Sequence, residues 1–325
     1  MEYLKQFKSF EDQADLLIGK GMAANRDGLI EHLRDAGYYR LSGYWNIYKN
    51  RATRRFVDGT SFDQVWKIYV FDRQFRLIVL DAVERVEVYI RTQLANSLAG
   101  MAGPFGFLSN SNLPRMSPDQ YQSFISRCRN AYRRSREPFA LHFGEKYGDA
   151  HQLPPYWMLV NLMDFGMAVS LYKGAPPKVR KQIAEGLGVT ARVLDSWLAT
   201  INTIRNICAH HGRLWNRTIG TPPMIPKLEK DPRWHEPVEI SGKKIFGSLT
   251  VLSYLLSRIA PDSSWRSRLL NEVARLSEEE RGRMGFVPDW YECPFWKPWV
   301  EMWSAESSRD VRTALNVKDV RLADD

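Results

Sequence analysis

An all-α fold is the expectation from this sequence, and three observations carry it. Residues 62–98 keep their apolar side chains at helical spacing without one Gly or Pro to interrupt them. Further stretches of the same period follow, separated by loops that contain Pro or Gly. No segment sustains the alternation of apolar and polar residues that marks a strand.

In chain order, residues 12–36 read as two short helices, the second ending where LIEHLRDAG meets Gly37. The aromatic segment Tyr38-Tyr39-Arg40-Leu41-Ser42-Gly43-Tyr44-Trp45 comes next, and then the long helix from Phe62 to about Leu98. Helices are expected over roughly 118–135, 155–174, 176–186 and 190–211. A Pro-rich loop covers 218–240, helices return at about 244–259 and 263–282, and the aromatic run MGFVPDWYECPFW follows. This organisation suggests an N-terminal segment over 1–60, a main helical body over 61–303 and a charged tail over 304–325.

Bulk composition narrows the class. The chain has 325 residues, 44% hydrophobic and 26% charged, which is ample for a sizeable core. Eleven Trp suit broad packing faces or stacking surfaces. Cys128, Cys208 and Cys293 are odd in number and far apart, so no disulfide framework follows and a reducing cytoplasm is expected. The polar opening MEYLKQFKSFEDQADLL does not read as a signal peptide, and runs such as Phe246 to Leu256 are too short to span a bilayer. The net charge is +9, with 31 Arg against 15 Lys. Arg brings a planar fork for phosphate and a face that stacks on bases, so the bias leans towards nucleic acid, against the alternative of a cationic, solubilising surface.

Chemistry concentrates in LDSWLATINTIRNICAHHGRLWNR, residues 194–217. At about 100° per residue, Leu194, Trp197, Leu198, Ile201, Ile204 and Cys208 share one face, and Arg205 falls within it. A guanidinium there costs several kcal/mol unless it is paired or serves a site. Asn202, Asn206, His210 and Arg213 form a polar stripe, with Asn206 one turn before His210 and able to orient its ring. Gly212 is the expected helix terminator. Arg205 and His210 would point about 140° apart on a straight helix. Either the helix loosens near His211 and Gly212, or the site is completed across a dimer axis.

A bare R-x4-H is uninformative, since six His and 31 Arg supply 6 × 31/325, or about 0.6 chance matches. The extended pattern Arg205-Asn206-Ile207-Cys208-Ala209-His210 resembles the R-N-x-x-A-H form of the HEPN nuclease motif. GYYRLSGYW, DAVERVEVYIR, AHHGRLWNR and the late GFVPDW resemble the AbiD/AbiF branch of Abi-like abortive infection proteins, over about residues 8–300. The resemblance implies a HEPN-type helical bundle with N- and C-terminal helical elaborations. It implies a metal-independent endoribonuclease acting as a growth-arresting toxin in anti-phage defence, restrained by an RNA or a protein antitoxin. Arg205 and His210 would be catalytic, with Asn206 as their companion, in a site built by two such motifs and hence in a homodimer. Some HEPN toxins carry a Tyr two positions after the His that a partner enzyme modifies. Gly212 stands there in this chain, so that form of control is not expected. The competing reading is a catalytically silent HEPN-fold protein that binds RNA without cutting it.

The residue types suit the chemistry. RNA carries its own nucleophile, the 2′-hydroxyl. Histidine, with a reference pKa of about 6.5, can take that proton or protonate the leaving oxygen. An arginine can hold the non-bridging oxygens as charge builds. Glu84, Glu87 and Arg91 are expected on the apolar side of the long helix, where an acid needs a partner: Arg205, or Arg91 one turn along. With His211 they form the supporting set, although His210 and His211 also suit a helix C-terminus by dipole alone.

Two basic-aromatic stretches are candidate RNA surfaces: Arg127, Arg129, Arg133, Arg134 and Arg136 with Tyr121 and Tyr132, and Arg51, Arg54 and Arg55 near Tyr44 and Trp45. Arg213 and Arg217 join them behind the motif. Cys208, His210 and His211 invite a zinc reading, but neighbouring helical positions face apart and no C-x-x-C pair accompanies them. No metal and no cofactor are expected.

Overall fold

A computed structural model describes residues 6–306 together with residues 2, 4 and 315. Among these, fourteen α-helices are joined by loops and short 3-10 turns, with no strand beyond three isolated bridges. The protein is all-α. The expected charged tail, 304–325, falls almost wholly outside the described residues; Ser304 itself is buried within the last helix.

The chain divides into two compact units, residues 1–76 and 77–325. The first holds α1 (Phe10–Gly19), α2 (Arg26–Ala36), α3 (Tyr38–Trp45) and the opening turns of α4 (Phe62–Ala102). Ser9 starts α1 with a capping box to Asp12, and Asn25 caps α2 through the Gly28 N–H. Gly37, at φ +78°, lets α3 begin directly after α2. The aromatic segment is therefore a helix. Its Tyr44 and Trp45 are fully buried, and the Tyr44 hydroxyl donates to Asp72 at 2.6 Å. Asp72 is also paired with Arg76 one turn along α4.

In the second unit α4 runs on through Gly100 and stops at Gly103, where φ is +76°. Then come α5 (Pro118–Arg134), capped by the Ser117/Gln120 box, and α6 (Pro138–Tyr147), for which the sequence predicts only a loop. The helix expected over 155–174 is two: α7 (Tyr156–Leu159), with a 3-10 turn behind it, and α8 (Phe165–Gly174), restarted by Asp164. Next are α9 (Pro177–Gly186), α10 (Ala191–Ala209), the Pro-rich loop and α11 (Ile245–Ile259). The expected helix over 263–282 is also broken, into α12 (Trp265–Val273) and α13 (Glu278–Gly282), where Ser277 and Glu280 form a fresh capping box. α14 (Lys297–Glu306) closes the described chain.

Tryptophans serve packing here. Trp197, Trp215, Trp234, Trp265 and Trp296 are fully buried in this unit, while Trp157 is half exposed. Trp197 on α10, Trp234, Tyr254 on α11 and Phe295 pack with ring centroids 4.5–5.7 Å apart. That cluster pins the inner face of α10, which also packs on α8 and α9. No helix among the described residues is long and apolar enough to cross a membrane.

Candidate functional site

α10 is capped by Thr190, whose hydroxyl accepts from the Val193 N–H at 3.3 Å. Leu194, Trp197, Leu198, Ile201, Ile204 and Cys208 are buried along it, as the spacing predicts. Arg205 starts from that face, yet its long side chain reaches the border and is half-buried. Its Nη1 donates to Asn206 Oδ1 at 3.4 Å, a long contact that orients more than it binds. The Asn206 side chain thus engages Arg205, while the Asn206 carbonyl accepts the His210 backbone N–H at 3.0 Å.

α4 stands opposite. Glu87 is ion-paired to Arg91, and Arg91 Nη2 also donates to the Met163 carbonyl just before α8. Burial pushes the Glu87 carboxyl above its ordinary range, against the opposing pull of Arg91 first and Arg205 second; Asp164 adds to the push. Glu87 therefore answers to both arginines, and the local pair is the closer one. Glu84 does not belong here: it is exposed, because at 100° per residue it turns about 140° from the buried line Val79, Val86, Ile90.

Asp164 joins a third helix to the group. It caps α8 by accepting from the Met167 N–H at 2.8 Å and is paired with Arg127 of α5 at 3.2 Å. Space for this comes from Gly166, where a Cβ would lie 3.1 Å from Asp164 Oδ1 and 3.7 Å from the Asn202 amide. The start of α8 thereby meets α10 at Asn202, one turn before Asn206, with Arg127 reaching Asp164 from the middle of α5.

The helix terminus differs from expectation in one respect. α10 ends at Ala209 with His210 as its C-cap, and His211, not Gly212, takes the left-handed conformation at φ +58°. The His211 N–H donates to Cys208 and the Gly212 N–H to Ile207, the paired bonds of a Schellman ending. Gly212 is needed for room: a Cβ there would lie 3.2 Å from both Ile207 Cγ2 and its carbonyl oxygen. His210 is left exposed, and its ring makes no hydrogen bond to the described residues. The chain then re-enters the core at Leu214 and Trp215, leaving Arg217 exposed with its Nη1 on the Arg213 carbonyl and Arg213 half-buried.

The structure thus brings Arg205, Asn206, Glu87, Arg91 and Arg127 around Asp164 and Asn202. Asp164 is the member that sequence reasoning missed: its one signal, an Asp ahead of a helical run, is masked by the apolar residues on both sides. Arg129, Arg133 and Arg134 are exposed on α5, and Arg54 and Arg55 are exposed in the first unit. Of the rings expected to stack beside them, Tyr44, Trp45 and Tyr121 are buried and Tyr132 is half-buried. The Tyr121 hydroxyl donates to the Phe107 carbonyl, Tyr132 packs edge-on against Phe143, and Tyr44 and Trp45 are core. Cys208 is buried while His210 and His211 are exposed, so the three do not converge. No group of three His, Cys, Asp or Glu suited to a metal occurs among the described residues.

A family model described as Abi-like protein matches residues 31–216, which is 186 of the 325 residues and includes every member of this cluster. No curated protein and no solved structure matches the chain.

Proposed function

The chain belongs to the Abi-like protein family, and from that premise we propose that it is a metal-independent endoribonuclease of the HEPN type that arrests growth in abortive-infection defence. The observation that carries this reading is the end of α10: an exposed His210 follows a half-buried Arg205 that touches Asn206 and lies within the electrostatic reach of Glu87. His210 accepts the proton of the RNA 2′-hydroxyl as that oxygen attacks the adjacent phosphorus. The P–O5′ bond breaks, and the leaving oxygen takes a proton from an imidazolium, either the same ring or that of a second copy. Arg205 binds the non-bridging oxygens as their charge grows. The products are a 2′,3′-cyclic phosphate and a 5′-hydroxyl.

The separation of about 140° that helical spacing gives Arg205 and His210 favours a homodimer, in which the two α10 ends face each other across a two-fold axis. The Arg-rich exterior favours RNA as substrate, and an RNA or a protein partner restrains the toxin, consistent with action in the cytoplasm. Controlled induction tests the role. Wild-type protein should halt growth and degrade cellular RNA, whereas Arg205→Ala and His210→Ala should do neither. Growth arrest with intact RNA, or arrest that survives both substitutions, would overturn the reading.

A further inference from the structure

A cavity of about 640 Å³ opens between α5 and α8, close to the cluster around Asp164. Its rim carries Arg115 from the loop before α5, Arg127 from α5 and Lys173 from the last turn of α8. Phe124 forms a wall, and the acids are Asp119 and Asp195. The loop is held close because the Arg115 N–H donates to the Gly174 carbonyl at 3.3 Å, and a Cβ on Gly174 would strike Met116 at 2.5 Å.

Arg115 and Lys173 are exposed and make no side-chain hydrogen bond or ion pair with the described residues. Arg127 links the cavity to the cluster through Asp164. Asp195 is paired to the buried Arg180 through Oδ2, yet its Oδ1 is buried without a partner. The Asp195 carboxylate is thus neutralised by Arg180 and its Oδ1 is closed to solvent, while the cavity offers free cations at its rim and the hydroxyl of the exposed Ser123 in its lining. A nucleotide strand supplies successive phosphates for the cations and ribose or base groups for the hydroxyl.

The cavity also has a direction. Asp195, Asn202 and Asn206 lie within about 40° of one another on α10, and the first and last are eleven helical steps apart, about 16 Å. One face of one helix therefore runs from the cavity past Asn202 to Asn206, with His210 just beyond.

We propose that this cavity holds nucleotides of a single-stranded RNA a few positions from the cleaved phosphate, with Arg115 and Lys173 on its phosphates and Ser123 on a ribose or base polar group. The proposal rests on the ribonuclease reading for the identity of the strand and goes beyond it in assigning the path. It moves the main RNA contact from the outer arginines of α5 into the groove behind them.

The test uses full-length His210→Ala protein, with and without Arg115→Ala/Lys173→Ala, against a fluorescent single strand of about 12 nucleotides. The same sequence as a duplex and free AMP serve as competitors. The double variant should weaken single-strand binding on the order of tenfold. It should flatten the slope of log K against log salt by about 1.4, two contacts at about 0.7 each. Neither duplex nor millimolar AMP should displace the strand efficiently. Unchanged affinity and slope, a strand that AMP displaces readily, equal losses for strand and duplex, or no strand binding at all would overturn it. Cleavage separates the two readings. If otherwise wild-type protein cuts no RNA but the double variant still loses strand binding, the ribonuclease reading fails and the groove stands. If it cuts RNA and the double variant binds and cuts as well, the groove fails and the ribonuclease stands.

Discussion

Arg205 on α10 and Glu87 on α4 act on one another electrostatically: the guanidinium favours the ionised carboxyl, but burial wins and the Glu87 proton is held more tightly than in an ordinary glutamate. Such a group contributes stability that is complete below its unfolded value, near 4.5, and is lost as pH rises through the raised native value. The unfolding free energy of the wild type minus that of Glu87→Gln should therefore fall as pH is raised from about 4 towards 7. Paired melts across that range decide the matter. A difference that is flat or grows with pH would mean that the arginines outweigh burial.

Asp164 has two partners, and magnitudes separate them. As N-cap of α8 it should contribute about 1 kcal/mol. Its ion pair with Arg127 leaves the two side chains 55% and 43% exposed, so that pair should contribute little. Asp164→Ala should lower the denaturant midpoint by the equivalent of about 1 kcal/mol, and Asp164→Asn, which can still cap, by a few tenths. Equal losses in the two variants would refute the capping role.

His211 sits in the left-handed region at a strain of about 1–2 kcal/mol. Replacement by Gly relieves that strain at about 0.5–1 kcal/mol of added chain entropy, so His211→Gly should raise the melting temperature slightly. Gly212→Ala should lower it, because the new Cβ meets Ile207 at 3.2 Å. The reverse ordering would mean that His211 makes a contact worth more than its strain.

Much of this site is legible in the chain because helical period alone places Asn202, Asn206 and His210 on one stripe and Arg205 at the apolar face. What the period does not carry is how far a long side chain reaches, which is why Arg205 ends at the border. The period itself turns Glu84 about 140° from the line of Val79, Val86 and Ile90, so its expected place on the apolar side is at odds with the pattern, not beyond it. Gly212 looked like the left-handed residue on residue type. Only the closeness of Ile207 reveals that it is there for space. The break at Asp164 was hidden because apolar residues crowd both sides of it, and the burial of Tyr44, Trp45 and Tyr121 depends on distant helices. Arg115 and Lys173 carry no local pattern; they meet because α5 and α8 pack side by side.

Subunit mixing tests the assembly. Arg205→Ala and His210→Ala each remove one half of the proposed chemistry. If the working site draws them from different copies, mixed dimers should regain part of the cleavage that each variant lacks alone. A wild-type protein that is monomeric at micromolar concentration and fully active would refute the composite site.

The most direct measurement is the chemistry of the cut. Purified protein and a defined RNA, incubated with excess EDTA, should yield fragments ending in 2′,3′-cyclic phosphate and 5′-hydroxyl, and RNA with a 2′-deoxy sugar at the cleavage position should resist. Arg205→Ala and His210→Ala should both be inert. Cleavage that requires Mg²⁺, leaves 5′-phosphates or tolerates the deoxy sugar would contradict 2′-hydroxyl attack assisted by Arg205 and His210.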